Sequence, residues 1–277
     1  MSFLNANVNA FEKFITFIGK TSEKPNAYAP FHIISILIIL AFSLAVVLNR
    51  RKITEKFLAY TMLAFGTVLV VFEIYKQFVM SYNPATDTWS YQWYIFPFQF
   101  CSTPIYLTFI AFVFYKLKKK RLFDTVTAFL GTYSLIGAFV VLFVGTDTVF
   151  STIIGVSIQT MIHHGIMFVL AVMILVSGCV SFNLKTGFDI YKLFAVLVVI
   201  ALVLNSIHGD GTKFDMFYLA PESQFVYPMF NKLFGGNLPH FVYVIGYIFL
   251  FTLGAFIIIA IGHLLTEKKH KCKTDED

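Results

Sequence analysis

Apolar residues dominate the chain in seven long stretches, at about 31–48, 57–80, 95–115, 122–144, 150–176, 190–207 and 240–264, with the polar residues concentrated between them. A bilayer core about 30 Å thick takes roughly 20 apolar residues per helix. Backbone polar groups in lipid must be satisfied within the structure that carries them, so each stretch predicts a membrane-spanning helix. The predicted fold class is all-α, a polytopic transmembrane helical bundle of about seven spans over residues 30–265. Ahead of it, Phe11, Phe14, Ile15 and Ile18 fall at i, i+3, i+4 and i+7. That spacing predicts an amphipathic leader over 1–29, lying in the membrane interface. Residues 266–277 read as a charged cytoplasmic tail.

Composition and charge add orientation to this pattern. The chain is 58% hydrophobic and 13% charged, with a mean hydropathy of +0.76, more apolar than one soluble core of 277 residues can hide. No stretch is left for a soluble catalytic domain. The formal charge is +6, and 15 of the 21 Lys and Arg sit in alternate connections or the tail: Arg50 to Lys56, Lys116 to Arg121, Lys185 to Lys192, and Lys268 to Lys273. The intervening loops 81–94 and 145–149 carry no Lys or Arg, and 208–239 only Lys213 and Lys232. The positive-inside rule therefore predicts the N-terminus outside and the C-terminus inside. The basic charge is a topology signal with no nucleic-acid partner implied, and the expected location is the cell (plasma) membrane. Residues 1–30 lack the pattern of a cleaved signal peptide, so the first span is expected to serve as its own targeting signal.

In such a chain the chemistry lies in the polar groups kept at membrane depth. The second span carries Glu73 and Lys76, the third Gln99 and Cys101, the fifth Gln159, His163 and His164, and the sixth ends in Asn205, Ser206, His208 and Asp210. At about 1.5 Å per residue, Cys101 falls about 10 Å below the outer surface and the histidine pair near mid-membrane. Glu73, Asn205 and His208 lie toward the outer ends of their helices, so a shared pocket in the outer half is possible. Pro97 and Pro104 flank Cys101, which predicts a helix bent there. Each feature also has a plain packing explanation. Cys101 can be a small filler, the histidines hydrogen-bonded glue between helices, Glu73 and Lys76 a self-neutralising pair, and the Gly209–Gly211 segment a turn.

Cysteine and histidine together are the minimal nucleophile and base for acyl transfer, because imidazole can take the thiol proton and return it to the leaving group. Metal ligation suits His163 and His164 poorly, since ligands on one helical face stand three or four residues apart; neither a metal nor a cofactor is expected. The three cysteines, Cys101 and Cys179 within helices and Cys272 in the tail, imply no disulfide framework.

The order of a Pro-x-x-x-Cys element in the third span and a His-His-Gly element in the fifth resembles the YwaF family of bacterial membrane proteins, which is related to animal transmembrane, cysteine-dependent phospholipid acyltransferases. The family's third-span element reads Pro-Leu-His-Leu-Cys, where this chain has Pro97-Phe98-Gln99-Phe100-Cys101. Gln99 thus stands where the family has histidine. Gly211 to Pro221 is similar to the family's Gly-Thr-Asn-Tyr…Pro element. The resemblance implies Cys101 as acyl-accepting nucleophile, His164, before Gly165, as its base with His163 beside it, and membrane phospholipids or acyl lipids as partners. Glu73, Gln99, Asn205 and His208 are then candidates to orient the imidazole or bind substrate. The expected function is a membrane-embedded lipid acyltransferase or transacylase using a Cys-His pair. The alternatives are a small transporter or channel with a polar path, and a structural membrane protein in which these residues only join helices.

Overall fold

The computed structural model describes residues 9–208, 214–221, 223, 226–236, 238–266 and 272. Gly209 to Lys213 and the tail lysines, which figured in the expectations above, lie outside the described residues. The helices are α1 (Ala10–Ile18), α2 (Pro30–Leu48), α3 (Glu55–Ser81), α4 (Thr103–Lys116), α5 (Lys120–Phe143), α6 (Thr146–Val149), α7 (Ile154–Ser177), α8 (Leu184–His208), α9 (Val226–Phe234) and α10 (His240–Thr266). A two-stranded antiparallel ribbon pairs Tyr82–Asn83 with Thr88–Trp89. Six helices, α2, α3, α5, α7, α8 and α10, are long and apolar enough to cross a membrane. The multi-pass helical bundle is therefore as the hydrophobic pattern predicts.

The third stretch departs from that pattern. In place of one bent helix over 95–115, the chain makes a short 3-10 turn at Trp93–Ile95, runs extended, makes another at Phe100–Ser102, and only then enters α4. Proline explains both departures. Pro97 has no N–H to give a helix and biases Phe96 toward extended backbone, with Phe96 at φ −49°, ψ 132°. Pro104 sits in the first turn of α4, where a missing N–H costs nothing. Hydroxyls answer the carbonyls: Tyr106 donates to Pro97 O and Thr108 to Pro104 O at 2.8 Å. The sixth span is also longer than expected, starting at Leu184, and α9 was not anticipated.

Helices α5 and α7 form the centre, most of their residues buried, while α2 and α10 lie at the periphery and turn most of their surface outward. Close approach depends on glycine at several points, among them one on each central helix. A Cβ at Gly131 would come within 2.8 Å of Ile174 of α7, and one at Gly165 within 2.9 Å of Ile39 of α2. The glycine of the His-His-Gly element thus lets α2 lie against α7.

The basic connections gather at one end of the bundle. Lys120 pairs with Glu55 at 2.6 Å and Asp124 at 2.7 Å, Arg121 with Asp189 at 3.0 Å, and Lys120 also donates to Cys179 O at 3.3 Å. The same end holds a disulfide between Cys179 and Cys272, which corrects the expectation of none. Cys179 is not within a helix, because Gly178, at φ 68°, ends α7 with a left-handed cap. A pairing across 93 residues has no local signature. At the opposite end α1 docks through buried Ile15 onto Val79, Tyr82 and Val156, with Phe11 against Phe78 and Trp89 and Phe14 and Phe17 exposed. Tyr75 donates to Ile18 O at 2.9 Å to hold it there.

Candidate functional site

The broken segment before α4 presents Cys101, a half-buried free thiol in the Phe100–Ser102 turn. Gln99, two residues earlier, fixes that turn to a second non-helical segment between α8 and α9. Its Nε2 donates to Asp215 O at 2.7 Å and its Oε1 accepts from Phe217 N at 3.1 Å. Asn205, near the end of α8, clamps the same segment from the other side, Nδ2 to Met216 O at 3.1 Å and Met216 N to Oδ1 at 2.7 Å. Both amides thus serve backbone groups that a membrane interior could not otherwise satisfy. Their grip is needed because Phe217 and Tyr218 adopt φ of 59° and 58°, a conformation costing non-glycine residues about 1–3 kcal/mol each. Tyr243 adds a bond from its hydroxyl to Tyr218 O at 2.6 Å, and His240 Nε2 donates to Leu219 O at 2.8 Å. In this segment, outside the spans, burial pushes the Asp215 carboxyl up.

From α7, His163 Nε2 lies 2.8 Å from Cys101 O. A carbonyl only accepts, so Nε2 carries the proton and Nδ1 of the neutral ring is left as a bare lone pair. That Nδ1 is buried with no hydrogen-bond partner among the described residues. His164 turns the other way: its Nδ1 donates to Thr160 O at 2.8 Å, leaving Nε2 buried and unpartnered. The two rings are 5.2 Å apart. Of the pair, it is His163 that meets the cysteine residue.

On α3, Lys76 Nζ and Glu73 Oε2 pair at 2.8 Å with both side chains largely buried. Gln77 donates to Glu73 Oε1 at 2.5 Å and to Ile95 O at 2.9 Å, tying the ion pair to the turn that precedes Cys101. Lys76 is an electrostatic neighbour of Cys101, His163 and His164, and Glu73 of Cys101. His208 lies apart from this group, stacked on Phe214 at 4.3 Å and tilted against Trp93 at 4.0 Å.

The structure therefore brings Cys101, His163, His164, Glu73 and Lys76 into one polar cluster. It assigns Gln99 and Asn205 to the neighbouring backbone turn and His208 to an aromatic stack. Gln77, Tyr218, Tyr243 and Tyr247 are further polar residues around the site that the spacing of reactive groups does not mark; their signal is polar atoms on otherwise apolar spans and turns. An apolar cavity of about 360 Å³ lies between α2 and α7, lined by Phe42, Ile158, Met161 and Gly165 among others. Cys101 and the histidines are not in its lining, although Gly165 follows His164 directly. Among the described residues no group of three His, Cys, Asp or Glu could hold a metal.

Chemically, the cluster offers a thiol, two imidazoles that each keep one nitrogen unpartnered among the described residues, and an ammonium whose charge is balanced by a carboxylate. Comparisons with curated proteins and with solved structures found no significant match. The profile of the TMEM164 family matches residues 27–262, from just before α2 to within α10, and the chain belongs to the TMEM164 family of transmembrane proteins.

Proposed function

We propose that the protein moves fatty acyl groups between membrane lipids through a thioester at Cys101. The observation that carries this reading is the seat of His163 on the Cys101 carbonyl, which leaves Nδ1 bare in the same polar cluster as the one free thiol among the described residues. The resemblance to the YwaF family, and through it to lipid acyltransferases, supports it.

In the first half-reaction the Cys101 sulfur attacks the ester carbonyl of a phospholipid while its proton passes to His163 Nδ1. The carbon–oxygen ester bond breaks, the lysolipid oxygen takes that proton, and the acyl group stays on sulfur. In the second, the hydroxyl of an acceptor lysolipid gives its proton to His163 and attacks the thioester. The carbon–sulfur bond breaks and the thiol is restored. Lys76, balanced by Glu73, holds a positive charge near the developing oxyanion. Acyl chains enter laterally from the bilayer, and the reading puts the protein in the cell membrane; the positive-inside rule supports a cytoplasmic position for the end with the basic connections.

A transport path would run through Glu73 and the histidine pair, but Asn205, the other residue expected to line it, has both amide atoms taken by backbone. The experiment that tests the proposal uses purified protein in lipid with a clickable acyl-phospholipid. A hydroxylamine-sensitive label is expected on the wild type and is expected to be lost in Cys101→Ala and His163→Ala. A label that persists in Cys101→Ala refutes the proposal.

A further inference from the structure

Three of the largest fully buried side chains are tyrosines: Tyr133, Tyr243 and Tyr247. Two of their hydroxyls are engaged, Tyr133 with Thr252 Oγ1 at 3.2 Å and Tyr243 with Tyr218 O at 2.6 Å. The Tyr247 hydroxyl is buried and has no hydrogen-bond partner among the described residues. A phenol left buried and unpaired is costly, and a phenylalanine would fill the same space without that cost. Its position suggests what it meets. Tyr247 stacks on Phe251 at 4.4 Å and on Phe194 at 6.5 Å. The same two rings hold Phe100, at 4.8 Å and 6.0 Å, and Phe100 is the residue before Cys101. Tyr247 and Cys101 are also electrostatic neighbours, as are Tyr218 and Cys101.

We propose that the Tyr247 hydroxyl donates a hydrogen bond to the acyl carbonyl oxygen at Cys101, steadying the oxyanion as the tetrahedral intermediate forms. The inference rests on the reading of Cys101 as acyl acceptor and adds to it the donor that the acyl oxygen needs. A buried hydroxyl suits this task because it need not reorient away from solvent when charge develops. Lys76 acts through charge balanced by Glu73, whereas Tyr247 supplies a directed donor with no competing acceptor. During attack no proton leaves the phenol: it bonds to the oxygen while the sulfur–carbon bond forms, and that bond lengthens again when the carbonyl is restored.

The test compares wild type with Tyr247→Phe in single-turnover labelling by a clickable acyl-phospholipid, alongside thermal midpoint and the rate of Cys101 alkylation by a membrane-permeant maleimide. Labelling is expected to slow about 100-fold, within the range seen on removing one oxyanion donor. The midpoint is expected to hold or rise, and maleimide is expected to react at the wild-type rate. Labelling at the wild-type rate overturns the proposal and leaves the thioester reading standing. So does slowed labelling accompanied by a lower midpoint and altered alkylation, which marks a packing role. No label on the wild type overturns both, and is distinguished from failure of the donor alone by the wild-type lane.

Discussion

His163 Nε2 and the backbone oxygen of Cys101 are 2.8 Å apart, so the imidazole of a central helix is oriented by the backbone of the residue that carries the thiol. The contact fixes the tautomer and leaves Nδ1 without a proton or a partner among the described residues. It also separates two adjacent histidines by role, since His164 spends its proton on Thr160 of its own helix. His163→Ala is therefore expected to lower acyl labelling by about 100-fold or more, the range of general acid–base catalysis. His164→Ala is expected to lower it less. Equal losses, or a larger loss in His164→Ala, would move the base to His164, the position that the resemblance implied.

The Gln99 clamp makes a prediction about stability. Gln99→Ala removes partners from Asp215 O and Phe217 N together, each worth about 1–3 kcal/mol when left unpaired in a buried site. The thermal midpoint in detergent is expected to fall, and Cys101 is expected to react faster with maleimide as the turn at 215–219 loosens. An unchanged midpoint would mean that the clamp contributes no stability.

Breaking the Lys76–Glu73 pair should cost more than deleting it. Lys76→Ala leaves a buried carboxylate without its cation, an effect of about 3–5 kcal/mol. The double variant Glu73→Ala with Lys76→Ala is expected to be more stable than Lys76→Ala alone. Thermal unfolding of the four proteins in a double-mutant cycle reads the coupling directly, and additive losses would contradict it.

The disulfide lies far from the cluster. His163 and Ser177 are fourteen residues apart along α7, about 21 Å at 1.5 Å per residue, and Cys179 lies just beyond. Non-reducing peptide mapping of oxidised protein is expected to yield a linked Cys179–Cys272 peptide. Cys272→Ser is expected to abolish that peptide and leave acyl labelling unchanged. Reducing conditions should give the same result as the substitution. Altered labelling would show that the two ends communicate.

How much of this was legible in the sequence follows from what lipid enforces. A spanning helix needs a long apolar run, so six of the seven expected crossings are long apolar helices, and α10 began at the expected His240. The third stretch misled because hydropathy counts Phe96, Pro97 and Phe98 as core residues while their backbone is non-helical. Cys101, His163, His164 and Glu73 stood out because titratable or reactive groups are rare at that depth, and the fold brings them into one cluster. Gln99 and Asn205 stood out for the same reason, yet their partners are backbone atoms of a turn that no local pattern announces. Tyr247 escaped because an aromatic ring reads as apolar until its hydroxyl is seen without a partner. The Cys179–Cys272 bond escaped because it joins segments 93 residues apart.

The most direct measurement of the central claim is intact-protein mass spectrometry after acid quench. The protein is reconstituted with a phospholipid bearing one defined acyl chain, followed by peptide mapping. The account predicts a mass increase of one acyl group, located on the Cys101 peptide, removed by hydroxylamine and absent from Cys101→Ala. No adduct on the wild type, or an adduct on another residue that survives in Cys101→Ala, would contradict it.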